Sequence, residues 1–218
     1  MRYSPEHKAE THARIVRKAS VRLREKGAHG VGVADLMKEA GLTHGGFYAH
    51  FESREALVVE SFGYAIDRAV ERWRKLLDGL PPQKRLAAIV DGYLSPEHRD
   101  DVGHGCAIPA LGAEIARESA KTRKAFAAKL DELIDLFAGY IVDVPAKTAR
   151  RRSAAMLATL TGTLVMARVT GGGELSDEIL SSGREVALAI ATGSGSAAKA
   201  PARAPAKKPV KKTAAAKR

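Results

Sequence analysis

Apolar residues recur along this chain at intervals of three and four, and no stretch alternates apolar and polar positions for long enough to make a strand. Ile15, Ala19 and Leu23 fall at i, i+4 and i+8. Ser4-Pro5-Glu6 supplies a capping hydroxyl, a proline at the first helical position and an acid for the helix dipole, so a first helix is expected from there to Gly27. Val33 to Ala40 is a short run with Leu36, Met37 and Ala40 on one side. Ser53 opens a long helix carrying Leu57, Phe62, Ile66, Ala69, Val70, Trp73, Leu76 and Leu77, closed by Gly79 and Pro81-Pro82. Leu86, Ile89, Val90 and Tyr93 mark another helix, Ser95 to Gly105 reads as a polar connection, and Ala107 to Ala116 is a short helical segment. Phe126, Leu130, Leu133, Ile134, Phe137 and Ile141 define a long helix that stops before Pro145. Ala146 to Thr170 is apolar on nearly every side, with Ala154, Ala155, Ala158 and Gly162 between its large residues. Such a helix needs burial on more than one face, which places it between its own core and a partner subunit. Leu175 to Ile190 is the last amphipathic helix. The expected fold class is all-α.

The shortest helices carry the most chemistry. After Val33 to Ala40, Gly41 offers the permissive backbone that a helix C-terminus wants, and Thr43 is placed to cap a second short helix. Two such helices joined by a tight turn have helix-turn-helix spacing, and the second would lie in the major groove of DNA. Two adjacent glycines, Gly45 and Gly46, fall inside that second helix at a cost of about 1 kcal/mol each relative to alanine. Without a Cβ they let the backbone approach the groove floor, leaving Thr43 and His44 as direct readers of a thymine methyl and a purine N7. Alternatively, they allow tight packing against the first helix. Phe47 and Phe51 belong to the core in either case.

The string VADLMKEAGLTHGGFYAHF from Val33 to Phe51, followed by SREAL from Ser53 to Leu57, resembles the DNA-binding domain of TetR/AcrR-type transcriptional regulators over roughly residues 8 to 60. Gly32 departs from that pattern, where the family usually places a capping Ser or Thr. The resemblance implies that Thr43, His44, Gly45 and Gly46 lie nearest the base edges and that Tyr48, His50 and Arg54 meet phosphates. It also implies a homodimer formed through the last two long helices, and an effector cavity around Cys106. A two-fold dimer suits the physics, because one recognition helix contacts too few bases and a pair reads a palindrome with half-sites about one helical turn or more apart. The expected architecture is a helix-turn-helix domain over residues 1–52, an all-helical ligand-binding and dimerisation domain over 53–192, and a disordered Lys/Ala/Pro-rich tail over 193–218.

Charge changes this picture less than its size suggests. The formal net charge is +11, but residues 193–218 hold eight bases and no acids, while residues 1–60 hold ten bases and eight acids. The headpiece must therefore gather its bases on one face, from Arg2, Lys8, Arg14, Arg17, Lys18 and Arg54. A tail of Ala, Lys and Pro cannot bury a core and would add salt-dependent, non-specific attraction to phosphates. No apolar run approaches the roughly 20 residues needed to span a bilayer, the opening MRYSPEHKAE lacks a secretion signal, and the single Cys106 makes no intrachain disulfide. A cytoplasmic, nucleoid-associated protein without a membrane partner is expected.

Other side chains invite chemistry and are weighed on geometry. His44 and His50, six apart, fall on different helix faces, and His98, Asp100, Asp101 and His104 sit in a polar loop, so no metal or cofactor site is assigned. Cys106 follows His104-Gly105 near the start of a short helix, where a thiol pKa falls, so it is read either as a sensor of thiol-reactive compounds or as an inert core residue. Phe62, Trp73, Tyr93, Cys106, Phe126 and Met166 are the candidate lining of a neutral effector cavity. No nucleophile elbow, P-loop or dinucleotide fingerprint appears, which argues against an enzyme. Two functions remain: a dimeric repressor released from its palindromic operator by a small molecule or a thiol-reactive signal, and an architectural nucleoid-type DNA binder dominated by its tail.

Overall fold

The computed structural model describes residues 5–194, and among them every regular element is a helix. Arg2, Ser4 and nearly all of the basic tail lie outside the described residues. The chain folds as α1 (Pro5–Lys26), α2 (Val33–Glu39), a 3-10 turn (His44–Ala49), α3 (Arg54–Asp78), α4 (Pro82–Tyr93), α5 (Pro96–Asp100), α6 (Ala107–Ile115), α7 (Ala120–Ala138), α8 (Ala146–Val169) and α9 (Glu174–Thr192).

The apolar periodicity explains the packing. Ile15, Ala19 and Leu23 of α1 are buried together with Leu36 and Met37 of α2 and Phe47 and Phe51 around the 3-10 turn. This small core is continuous with that of the body through α3, whose Leu57, Phe62 and Ile66 are buried. Ser53 caps α3 by accepting the Ala56 N–H at 3.1 Å. Gly41 sits at φ +75°, and the N–H groups of Gly41 and Leu42 bond back to the carbonyls of Lys38 and Met37. This left-handed exit satisfies the end of α2 and turns the chain towards the 3-10 turn.

Three expectations about the elements are corrected. The stretch Ser95 to Gly105 is not all connection: Pro96–Asp100 is helical, capped by Ser95 Oγ, which accepts the His98 N–H at 3.1 Å. The second helix of the motif is a 3-10 turn rather than an α-helix. Leu76, expected on the buried stripe of α3, is 48% exposed.

α8 and α9 lie against each other so closely that a Cβ on Gly183 would fall 2.3 Å from Thr163 Cγ2. Only glycine permits that approach. The opposite side of the pair is unusual for a monomer surface, because Met166 (59%), Val169 (83%), Leu175 (57%) and Val186 (51%) are all exposed, with small Ala155, Ala158 and Gly162 extending the same stripe along α8. α8 is therefore apolar on two sides, the inner one filled by this chain.

Candidate nucleic-acid interface and cavity

The 3-10 turn, with Thr43 before it, presents one open edge. Thr43, His44, Gly45 and Tyr48 are exposed, Tyr48 at 73%, while Phe47 between them is 1% exposed and anchors the turn to the core. Phe47 and Phe51 stack at 5.4 Å, and Tyr48 meets Phe47 edge-on at 5.3 Å. The aromatic ring that points outwards is thus braced by one that points inwards. Thr43 occupies the N-cap position, but its hydroxyl accepts no cap bond; the backbone closes the turn instead, Gly46 N–H donating to Thr43 O at 3.1 Å. The expected capping role is therefore corrected, and the Thr43 side chain is left for another partner.

The two glycines differ. A Cβ built on Gly45 would meet nothing within 4 Å, whereas one on Gly46 would touch Met37 Cε at 3.7 Å and Thr43 Oγ1 at 3.8 Å. Neither distance is a clash, and neither neighbour is on α1, so close packing against the first helix does not explain them.

His50 and Arg54 are turned inwards. His50 is half-buried beside Phe51 and 6.1 Å from the His12 ring, and its Nδ1 is buried with no hydrogen-bond partner among the described residues. Burial, then the neighbouring His12 and Lys8, hold its pKa below the usual imidazole value. Arg54, expected at a phosphate, donates within the chain to the carbonyls of Ala28 and Val31 and reaches His29 Nδ1. It fastens the loop between α1 and α2 to the start of α3. From the other side, Glu114 accepts the His29 N–H at 3.2 Å and Glu118 meets the His29 ring at 3.2 Å. Nothing in the periodicity of the sequence marks this clamp. Lys8, Arg14, Arg17 and Lys18 of α1 are exposed.

The body contains a cavity of about 370 Å³, open on one side, between α3, α4, α5, α7 and the loop before α6, walled by Trp73, Leu76, Tyr93, Cys106 and Leu133 with Arg72 and His104 also in its lining. Of the six residues expected to line one pocket, it unites Trp73, Tyr93 and Cys106. Phe62 and Phe126 stack on each other at 3.7 Å and line a separate, more open groove with His12 and Lys129. Met166 lies on the exposed stripe of α8 instead.

The polar loop beside the cavity is tied internally. His98 Nδ1 lies 2.6 Å from the Tyr93 carbonyl, which only an N–H can approach so closely, and His98 Nε2 accepts the Cys106 N–H at 2.8 Å. His98 is therefore neutral, and both its nitrogens are used within the protein. Asp100 pairs with Arg99 and Asp101 with His104. Among the described residues no group of three or more candidate ligands is placed to hold a metal ion. Cys106 is 6% exposed, and burial pushes its thiol above the usual range. The lowered pKa expected for a thiol at a helix start is reversed by desolvation.

A pH dependence follows from His98. Burial is the largest influence and lowers its pKa, with the Tyr93 carbonyl opposing. Because the folded value lies below the unfolded one, the stabilisation is complete above the ordinary imidazole pKa of about 6.5 and is lost as pH falls from there. The melting temperature should drop by several degrees between pH 7.5 and pH 5.5, and His98→Gln should melt lower at pH 7.5 with a visibly shallower pH dependence. Parallel curves for the two proteins would exclude His98 as the source.

Comparison with known proteins agrees with this geometry. The family model described as bacterial regulatory proteins, tetR family, matches residues 15–60. An uncharacterized HTH-type transcriptional regulator of Mycobacterium tuberculosis is 30% identical over 164 residues, covering 72% of this chain and 83% of the relative. Among solved structures, a TetR transcriptional regulator from Chloroflexus aurantiacus superposes with a TM-score of 0.70 at 24% identity, over 86% of this chain and 96% of that one. The Bacillus subtilis transcriptional regulator FadR in complex with stearoyl-CoA superposes with a TM-score of 0.63 at 17% identity, over 83% and 98%. At these identities the two structures speak for the fold.

Proposed function

This chain belongs to the tetR family of bacterial regulatory proteins, a family of DNA-binding transcriptional regulators and not of enzymes, and from that footing we propose that it is a homodimeric repressor released from a palindromic operator by a small molecule. The observation that carries the proposal is the open edge of the recognition turn, where Thr43, His44, Gly45 and Tyr48 stand clear of a buried Phe47. An exposed edge built on a buried anchor presents fixed side chains to a groove, with little ordering left to do on binding. Thr43 and His44 read base edges, Tyr48 meets a phosphate, and the exposed bases of α1 add attraction. His50 and Arg54 support the turn from within rather than touching DNA.

The apolar stripe on α8 and α9 is the subunit interface, since a patch of that kind is rarely left to water. Two copies then present two turns to successive grooves of one face of the duplex. The cavity beside Trp73 and Tyr93 takes the effector. Its volume suits a small molecule with an apolar body, and the buried Cys106 forms part of its wall in preference to reacting with thiol-directed compounds. That FadR was crystallised with stearoyl-CoA makes an acyl compound a reasonable first ligand to assay. A cytoplasmic location at the nucleoid accompanies the DNA partner.

Selection of bound fragments from genomic DNA tests this function. The full chain should enrich a two-fold symmetric sequence, and a protein ending at residue 192 should enrich the same sequence while losing mainly salt-sensitive, non-specific affinity. If the shortened protein binds no DNA, the basic tail dominates and the architectural reading replaces this one.

A further inference from the structure

The loop from Asp101 to Cys106 is both a wall of the cavity and a neighbour of the DNA-reading unit. Asp101, His104, Gly105 and Cys106 line the cavity. Gly103, between them, faces the opposite way and rests on α1. A Cβ there would fall 2.8 Å from Glu25 Oε1 and 3.0 Å from Val21 Cγ1. Arg24 of α1 donates from Nε to the Gly103 carbonyl at 2.7 Å and from Nη1 to Ser20 Oγ at 2.8 Å.

Arg24 is an odd residue to keep for stability alone. It is 8% exposed, and its two hydrogen-bond acceptors are neutral. Burial and the nearby Arg72 cation push its pKa down to about 10. A buried cation that makes no ion pair among the described residues, with only the more distant pull of Asp101, is costly, and an apolar side chain of similar volume would pack there at less expense. What the guanidinium adds is a directional link between elements 79 residues apart. The adjacent carbonyl, that of His104, accepts from Arg72 of α3 at 3.2 and 3.3 Å, and the Cys106 N–H is held by His98. Three helices suspend the loop, and α1 alone among them belongs to the headpiece.

We propose that Arg24 is the positioning residue through which occupancy of the cavity reaches the DNA-reading unit, a role that rests on the reading of that cavity as the effector site. A molecule seated against His104 and Gly105 displaces the loop. The Gly103 carbonyl, one peptide away, moves with it and shifts α1 through Arg24. The same helix carries His12, which stacks on Phe51 at 4.4 Å directly behind the recognition turn. The path therefore runs from loop to α1 to the anchor of the reading edge, through contacts that already exist.

Gly105→Ala can stand in for a ligand, because its Cβ would lie 2.8 Å from the His98 ring and 3.0 Å from the Asp101 carbonyl, so that the loop must shift. Its effect is to be compared in the wild-type and Arg24→Met backgrounds by two readouts: affinity for the selected operator, and amide exchange of residues 33–50 without DNA. In the wild-type background Gly105→Ala should weaken operator binding about tenfold and speed exchange, and with Met at position 24 the effect should shrink to less than about twofold. Equal effects in both backgrounds, or none in either, would overturn the role of Arg24. Should Arg24→Met fail to fold, Arg24→Lys keeps the charge with a single nitrogen for two acceptors and should give an intermediate response. If wild type enriches no operator, the regulator reading falls, and the exchange comparison still decides whether Arg24 couples loop to headpiece.

Discussion

Replacing Met166 and Val169 together by glutamate should make the protein monomeric in sedimentation and weaken its binding to selected DNA at least 100-fold. Both side chains are exposed in the single chain, so the monomer loses no core contact and should still fold, melting below the wild type only by the stabilisation that association supplies. The damage arises only on assembly. Each unpaired carboxylate buried at an interface costs about 3 kcal/mol, or roughly 100-fold, and two-fold symmetry presents every substitution twice. Lysines at the same two positions should act alike, because they too must be desolvated. If the glutamates weaken DNA binding and the lysines do not, added negative charge rather than lost assembly is the cause. A monomer that binds its operator as tightly as wild type would end the dimer reading.

The second large effect separates folding from function at one residue. Gly45→Ala should raise stability by about 0.4–1 kcal/mol, because the position lacks a positive φ and the new methyl meets nothing within 4 Å among the described residues. The same substitution should weaken operator binding tenfold or more if the backbone lies against the groove floor, where a methyl would cost at least about 1.4 kcal/mol. Thermal melting and anisotropy titration on one preparation read both quantities. A more stable protein with unchanged affinity would show that DNA does not come near Gly45. Gly46→Ala is the control, since its methyl would rest on Met37 and Thr43 of the protein itself.

Most of the helical architecture was legible in the sequence because the periodicity is long and its breaks are sharp: Gly27, Gly41, Gly79, Pro145 and the Gly171 to Gly173 run all lie at or beside helix ends. α5 was missed although Ser95-Pro96-Glu97 repeats the cap, proline and acid of Ser4-Pro5-Glu6. A helix of five residues is too short for an apolar stripe, so only its cap could have marked it. The 3-10 geometry of the recognition turn was illegible for a related reason, since six residues do not distinguish a period of 3.0 from one of 3.6.

The site was partly legible. Thr43, His44, Gly45 and Tyr48 form the exposed edge because Phe47 among them is apolar, and burying it turns the others out. The internal bonds of Arg54 were illegible because its partners are backbone carbonyls of residues 28 and 31, which have no signature in the sequence. The single expected cavity became two hollows through simple geometry. Phe62 and Trp73 share a face of α3, but 11 residues separate them by about 16 Å along the axis. Helical spacing reports which side a residue faces and not which level it occupies.

In a DNA-bound dimer of this chain, the tight winding of the 3-10 turn would also set how much sequence one subunit reads. Six residues at a 3-10 rise of about 2.0 Å extend some 12 Å, against about 9 Å for the same residues in an α-helix. At about 3.4 Å per base pair, the longer element would span three to four steps of a duplex instead of fewer than three. Each half-site should accordingly contain a directly read block of three to four base pairs, with the bases between the blocks free to vary except where they alter the shape of the duplex.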